Sequence, residues 1–290
     1  MRTIRSLYIW IILIAAACAT LTAQAGPAQT ISASVGDVTD NRTTGSFSSE
    51  CKLELKFTGD AASDAADVRQ VRVKKAIDDL GRDLGLSDSQ ESFHSLNSGH
   101  KNGVLKTELR LRNPSRNAGT IKLLEGEVDL FSPTLANGGV VTIKDILKHP
   151  AEPVQNPALN KYGVEVIYLT KESYEAKRKQ LQEQQKNDAE GKLGEAFGEL
   201  FKGMFGGAMA SDSRNSLKLF VKDPQKRVVD VEFQDAGGNP LKTGSSWSMG
   251  ELRQIELKST PPPDTQLLIH LATPEALQTF AFKLENIPLP

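Results

Sequence analysis

The chain has 290 residues, 39% hydrophobic and 24% charged, with a net charge of −1. That is enough apolar material for one large core or two modest ones, and it excludes a chain too polar to fold. There is no basic excess to hold nucleic acid and no acidic block to act as a solvating tail.

Residues 1–25 read as a secretory signal. Arg2 and Arg5 form the charged start, Leu7 to Ala17 the apolar core, and Ala23-Gln24-Ala25 a small-x-small cleavage site. The apolar run is shorter than the roughly 20 residues a spanning helix needs. The expected destination is the periplasm or the extracellular space. The alternative is a lipid anchor on Cys18, because Ala15-Ala16-Ala17-Cys18 resembles a bacterial lipobox with Ala15 in place of the usual Leu. Cleavage after Ala25 takes the charge from −1 to −3 and leaves Cys51 as the sole cysteine. With no cysteine pair there is no internal disulfide, which argues against a small disulfide-framed module.

Alternation around Ile31, Ala33 and Val35 predicts an edge strand. Cys51, Leu53, Leu55 and Phe57 form an inward row, with Lys52, Glu54 and Lys56 outward, so Cys51 is expected as a buried core thiol. Val71 and Val73 continue the strand pattern. Asp78, Asp79, Asp83 and Asp88 follow, but their spacing does not match a calcium loop, and aspartate with glycine is what turns use.

The clearest structural signal is Val104 to Phe131. Leu105, Thr107, Leu109 and Leu111 share one face of a strand, with Lys106, Glu108, Arg110 and Arg112 on the other. Asn113-Pro114 ends it, because proline offers no N–H to a ladder. The return strand places Ile121 and Leu123 inward, then Leu124, Val128 and Leu130 on the opposite parity. The phase slip predicts a β-bulge at or beside Leu123-Leu124, with both side chains buried.

Val140, Val141 and Ile143 suggest a strand, and Thr142 to Lys148 equally a helical turn. Tyr162 to Leu169 is apolar on both faces, as a central strand would be. Thr170 is an expected N-cap, and Lys171 to Asp188 a solvated helix with a Glu175–Lys179 pair. Leu193, Phe197, Leu200, Phe201, Met204 and Phe205 then fall on one helical face, interrupted by glycines that weaken the helix. Strand patterns resume at Leu217, Val229, Ile255, Leu267 (with His270 outward) and Phe280. Trp247, within Gly-Ser-Ser-Trp-Ser, is expected as a loop plug over the second core.

These elements predict a mostly β protein. A signal peptide (1–25) is followed by a β-sandwich domain (26–170), a helical, Gly- and Phe-containing connecting segment (171–210) and a smaller β-sandwich domain (211–290). The architecture resembles immunoglobulin-like domains, without their Cys…Trp…Cys spacing. Leu111-Arg112-Asn113-Pro114 is also similar to the strand ends of late-embryogenesis-abundant β-sandwich proteins. Both resemblances imply a sandwich and nothing more.

Catalytic patterns are missing from the sequence. His94, His100, His149 and His270 contain no pair three to five residues apart, so no zinc spacing arises. There is no nucleophile elbow, P-loop or dinucleotide fingerprint. No cofactor, metal or catalytic residue is therefore assigned, and a non-enzyme is expected. The leading reading is an exported binding or structural protein of the envelope with an unknown partner. A second is a partner- or membrane-docking protein using Leu193, Phe197, Leu200, Phe201, Met204 and Phe205. A third is a hydrolase whose site is assembled from loops.

Overall fold

The structure is a computed structural model that describes residues 30–43, 49–85, 100–101, 103–189 and 215–290. The chain begins with β1 (Ser32–Asn41), β2 (Glu50–Thr58), α1 (Asp60–Asp64), β3 (Asp67–Asp78), β4 (His100–Lys101), β5 (Val104–Leu111) and β6 (Thr120–Phe131). β2 and β5 form because charged and apolar residues alternate along both, which gives a sheet with one dry face. Cys51, Leu53, Leu55, Phe57, Leu105, Leu109 and Leu111 are all fully buried in one core, as expected. The two strands pair antiparallel, Cys51 opposite Leu111 and Phe57 opposite Leu105, within the sheet order β1-β2-β5-β4. Asn113, just past the end of β5, donates through Nδ2 to the Asp40 side chain (2.5 Å) and to Asn41 O (2.7 Å), tying that end to β1.

The next elements are β7 (Val140–Ile143), α2 (Pro157–Lys161), β8 (Glu165–Leu169), α3 (Lys171–Ala189), β9 (Ser216–Lys222), β10 (Val228–Gln234), β11 (Thr243–Met249), β12 (Leu252–Leu257) and β13 (Gln266–Leu271). They build a second sandwich from the sheets β10-β13-β7 and β11-β12-β9-β8. Leu217, Leu219, Val231, Phe233, Ile255, Leu267 and Ile269 fill its core. Thr170 caps α3, its Oγ1 accepting from Ser173 N at 3.2 Å. Glu175 pairs with Arg178 at 2.7 Å rather than with Lys179.

The last strand, β14 (Leu277–Pro288), returns to the first sandwich and completes the sheet β14-β6-β3. It pairs with β6 from Leu277 opposite Phe131 to Pro288 opposite Thr120. Phe282 and Ile287 lie in the first core, and the Phe282 ring meets Phe57 edge-on at 5.9 Å. The expected domain division is corrected here. Among the described residues, the first sandwich is built from those within 30–131 and from 277–290, and the second is inserted between them. β7 and β8, expected in the first domain, belong to the second core, and β14, expected in the second, belongs to the first. Alternation fixes a strand's dry face but not its partner, so strand identity was readable and sheet membership was not. Each sandwich has one four-stranded and one three-stranded sheet among the described residues, in line with the expected mostly β, sandwich-type fold.

Two further expectations are corrected in part. Ile77 pairs with Leu123 and Asp78 with Ile121, so Lys122 is the extra residue of a bulge beside Leu123-Leu124. The slip brings Ile121 and Leu124 into one core, but Leu123 stays half-buried on the other side. Tyr162 to Leu169 contributes an edge strand rather than a central one. Its outer edge is covered by bridges from Pro150 to Tyr168 and from Pro153 to Ile167. Both its faces are apolar because Val164 and Val166 enter the second core while Ile167 and Leu169 pack with Tyr174 of α3. The stretch around Thr142 to Lys148 satisfies both readings, as β7 followed by a short 3-10 turn at Ile146–Lys148.

Two adjacent chain segments join the sandwiches. Ser132 N donates to Ala276 O (2.9 Å), Thr273 Oγ1 to Asn137 O (3.0 Å) and Leu271 N to Gly139 O (2.8 Å). Phe131 and Ala276, both fully buried, form a small core at this crossing.

Candidate functional site

The second sandwich is open along one side, and the opening follows from side-chain size. Ser246 and Ser248 of β11 pair with Ile255 and Arg253 of β12, so all four face the interior. Serine is too short to reach the opposite sheet. On that sheet Val231 and Phe233 face inward from β10. The chain crosses between the sheets through the turn Asp235–Pro240, where Asp235 accepts from Asn239 N (2.9 Å) and Leu241 N donates to Phe233 O (2.7 Å). Beyond this closed end the edges of β10 and β11 enclose a groove of about 630 Å³. Its lining includes Glu232, Phe233, Leu241, Trp247 and Arg253.

Arg253 is the cation of this groove. Burial lowers the pKa of its guanidinium, opposed by the carboxylates of Asp230 and Asp223. Among the described residues it makes no hydrogen bond or ion pair, which leaves a planar fork of donors facing the cleft. Asp223 spends one oxygen on Val228 N (2.6 Å), and its other oxygen is buried without a hydrogen bond. On the outer face of the opposite sheet, His270 pairs in register with Asp230, and its Nε2 lies 3.8 Å from Glu232. Burial lowers the His270 pKa, with Glu232 and Asp230 acting the other way. The imidazole points away from the core as expected, yet it is largely covered.

β11 also differs from the other sheet edges. An edge strand exposes unpaired N–H and C=O groups and is normally guarded by charge, proline, bulges or brevity. β1 carries Asp37 and Asp40, β3 four cations, β10 Asp230 and Glu232, and β14 Lys283, Glu285 and Pro288. β8 is covered by its proline bridges, and β4 and β7 are very short. β11 reads TGSSWSM, seven residues with neither charge nor proline, irregular only between Thr243 and Ser245.

Trp247 is in β11 rather than in a loop. It packs with Leu169, Tyr174, Phe220 and Leu252 on the side of the sheet that α3 covers. Cys51 is fully buried, and its thiol is pushed up to about 11 from 9.0, first by burial and then by the field of Asp40. Asp78 accepts from the backbone N–H groups of Leu80, Arg82 and Ser115, and these bonds outweigh burial to lower its pKa. It is a turn cap. Among the described residues no three His, Cys, Asp or Glu side chains gather as a metal site. The docking face of Leu193, Phe197, Leu200, Phe201, Met204 and Phe205 lies outside the described residues, as do residues 1–25 with Cys18, and Asp88. No helix among the described residues is long and apolar enough to cross a membrane.

The groove was missed in the sequence because Gly-Ser-Ser-Trp-Ser resembles a loop. The usable signal was polar residues at alternate positions just before an apolar strand, where a core strand would have carried Val or Ile.

Compared with known family models, curated proteins and solved structures, the chain matches none. The fold and the groove therefore define the class on their own: a mostly β protein of two sandwiches, one inserted into the other, with one unguarded edge among the described strands.

Proposed function

We propose that this chain is an exported, non-enzymatic binding protein whose ligand is held in the groove between β10 and β11. One observation carries the reading: an unguarded edge strand and an unpaired, half-buried guanidinium share a single open cleft. Each alone is a liability, since a bare edge invites aggregation and a desolvated cation without a partner costs stability. A ligand relieves both. The signal pattern of residues 1–25 supports the exported location.

The test is a photo-cross-linking residue placed at Ser246 of the full chain in its native cell, with a control at Lys74 on the outer face of the first sandwich. The reading expects an adduct specific to Ser246. Equal yields at both positions, or none, would remove the groove as the binding surface. N-terminal sequencing of the chain recovered outside the cytoplasm is expected to begin at Gly26. Recovery only inside the cell, with Arg2 and Arg5 retained, would overturn export.

A further inference from the structure

No described strand pairs with the outer edge of β11, so its backbone offers a row of donors and acceptors to an incoming chain. A strand laid along that edge would place alternate side chains over Ser246 and Ser248, because same-face positions are two residues apart. Behind Ser246 lies Ile255, with Phe233 on the opposite wall, so that position receives an apolar side chain. Behind Ser248 lies Arg253. We propose that the partner is an extended peptide segment of another protein, added to β11 as a further strand. It sets a carboxylate against Arg253 and, two residues away, an apolar side chain against Ile255 and Phe233.

Charge selects this occupant. The guanidinium fork matches a carboxylate in bidentate fashion. Asp230 and Glu232 on the facing edge repel a peptide that is acidic throughout, so one acid at a fixed spacing from an apolar residue is the expected signature. A second copy of this chain fits poorly. Pairing through its own β11 would offer Arg253 only serines and a second Arg253, since β11 contains no acid. Main-chain hydrogen bonds would supply affinity and the two side-chain positions specificity, which is the division of labour in strand addition generally.

The inference rests on the groove being the binding site, and its test is separate. A randomised library of seven-residue peptides, matching the seven residues of β11, is selected on the full chain, and fluorescein-labelled hits are titrated by anisotropy. Acidic–x–apolar peptides, in either direction, are expected to dominate. Replacing the acid by Lys, or making Arg253→Gln, should each weaken binding about tenfold, the loss of one charge-assisted contact. N-methylation of alternate peptide amides should abolish binding on one parity and spare the other, a readout that leaves the protein unaltered. Ser246→Pro, checked for an unchanged melting temperature, should also abolish it. No enrichment, no preference for the acid, or indifference to N-methylation would each overturn the proposal, as would a dimer in sedimentation that Ser246→Pro dissolves. A Ser246 adduct that proves not to be a peptide would sink this inference and leave the binding reading standing, whereas no adduct at all would sink both.

Discussion

On the outer face of the first sandwich, charge is answered by charge: Glu54 lies 3.0 Å from Lys56 and 3.1 Å from Lys106, Arg110 lies 2.8 Å from Glu108, and Arg72 clasps Asp129. At the open side of the second sandwich Arg253 has no such answer, and the strand beside it carries no charge at all. Both domains use the same alternating strand pattern, so the difference is not one of fold. It comes from what stands at the inward positions. In β2 and β5 these are cysteine, leucine and phenylalanine that interlock. In β11 they are serines, and the sheets part. Surface ion pairs of the first kind add little stability each, about 0–1 kcal/mol, but they guard a face against other chains. A face left without them is available for contact.

The contrast can be broken first at its strongest point. Phe57→Ala is expected to cost about 3–5 kcal/mol, as aromatic truncations in packed cores do. In urea unfolding, Trp247 fluorescence reports the second sandwich and far-UV circular dichroism reports both. A transition seen by Trp247 that stays put while the dichroism shifts would show the two domains to be energetically separate. A common shift would make them one cooperative unit.

Gly126→Ala should cost about 1–3 kcal/mol by overpacking. A Cβ there would lie 2.5 Å from Arg72 O and 2.8 Å from the Phe282 ring, so β3 or β14 has to move. A melting temperature unchanged by this substitution would contradict the tight pairing of β6 with both neighbours.

The two sandwiches also carry groups that titrate in opposite directions. The Cys51 thiol is pushed up to about 11 when folded, from 9.0, so above 9.0 the unfolded chain loses its proton first. Stability should fall as pH rises through that window, and Cys51→Ala should remove the slope. The buried thiol should also resist maleimide until denaturant is added. His270 is held below its ordinary 6.5. Here the unfolded chain takes up a proton first, so stability should be full above 6.5 and decline as pH falls toward the folded value. His270→Gln should flatten that acid limb, and an unchanged limb would mean that the imidazole is not desolvated. The smallest effect is expected at Ser246→Val, within about 0.5 kcal/mol, because the site faces an open groove rather than a packed core.

Much of this was legible in the residues. The rows from Cys51 to Phe57 and from Leu105 to Leu111, the cap at Thr170 and the slip near Leu123 are local patterns, and local patterns survive folding. The return of Phe280, Phe282 and Leu284 to the first core was not legible, because pairing across most of the chain leaves little mark on either strand. One mark did exist. Gly126, on the inward face of a strand whose other inward residues are Ile121, Leu124, Val128 and Leu130, is where the neighbouring strands approach closely, and Phe282 fills the space a side chain would take. The groove escaped for a related reason: serine at an inward position looks like serine in a loop until its strand partners are known.

The insertion of one sandwich into the other also bears on the cost of closing the outer domain. Thr279 bonds to Asp129 across a separation of 150 residues, a long loop to close from a random chain. The inner domain shortens that search. Its first and last strands are neighbours, with Val140 opposite His270, so its folding delivers β6 and β14 side by side at the Ser132–Ala276 contact. An outer domain closing after it would meet a preformed pair of arms. Until β14 arrives, its core lacks Phe282 and Ile287. A truncation stopping short of Leu277 would therefore unmake the domain at the other end of the sequence, while sparing the one beside the cut.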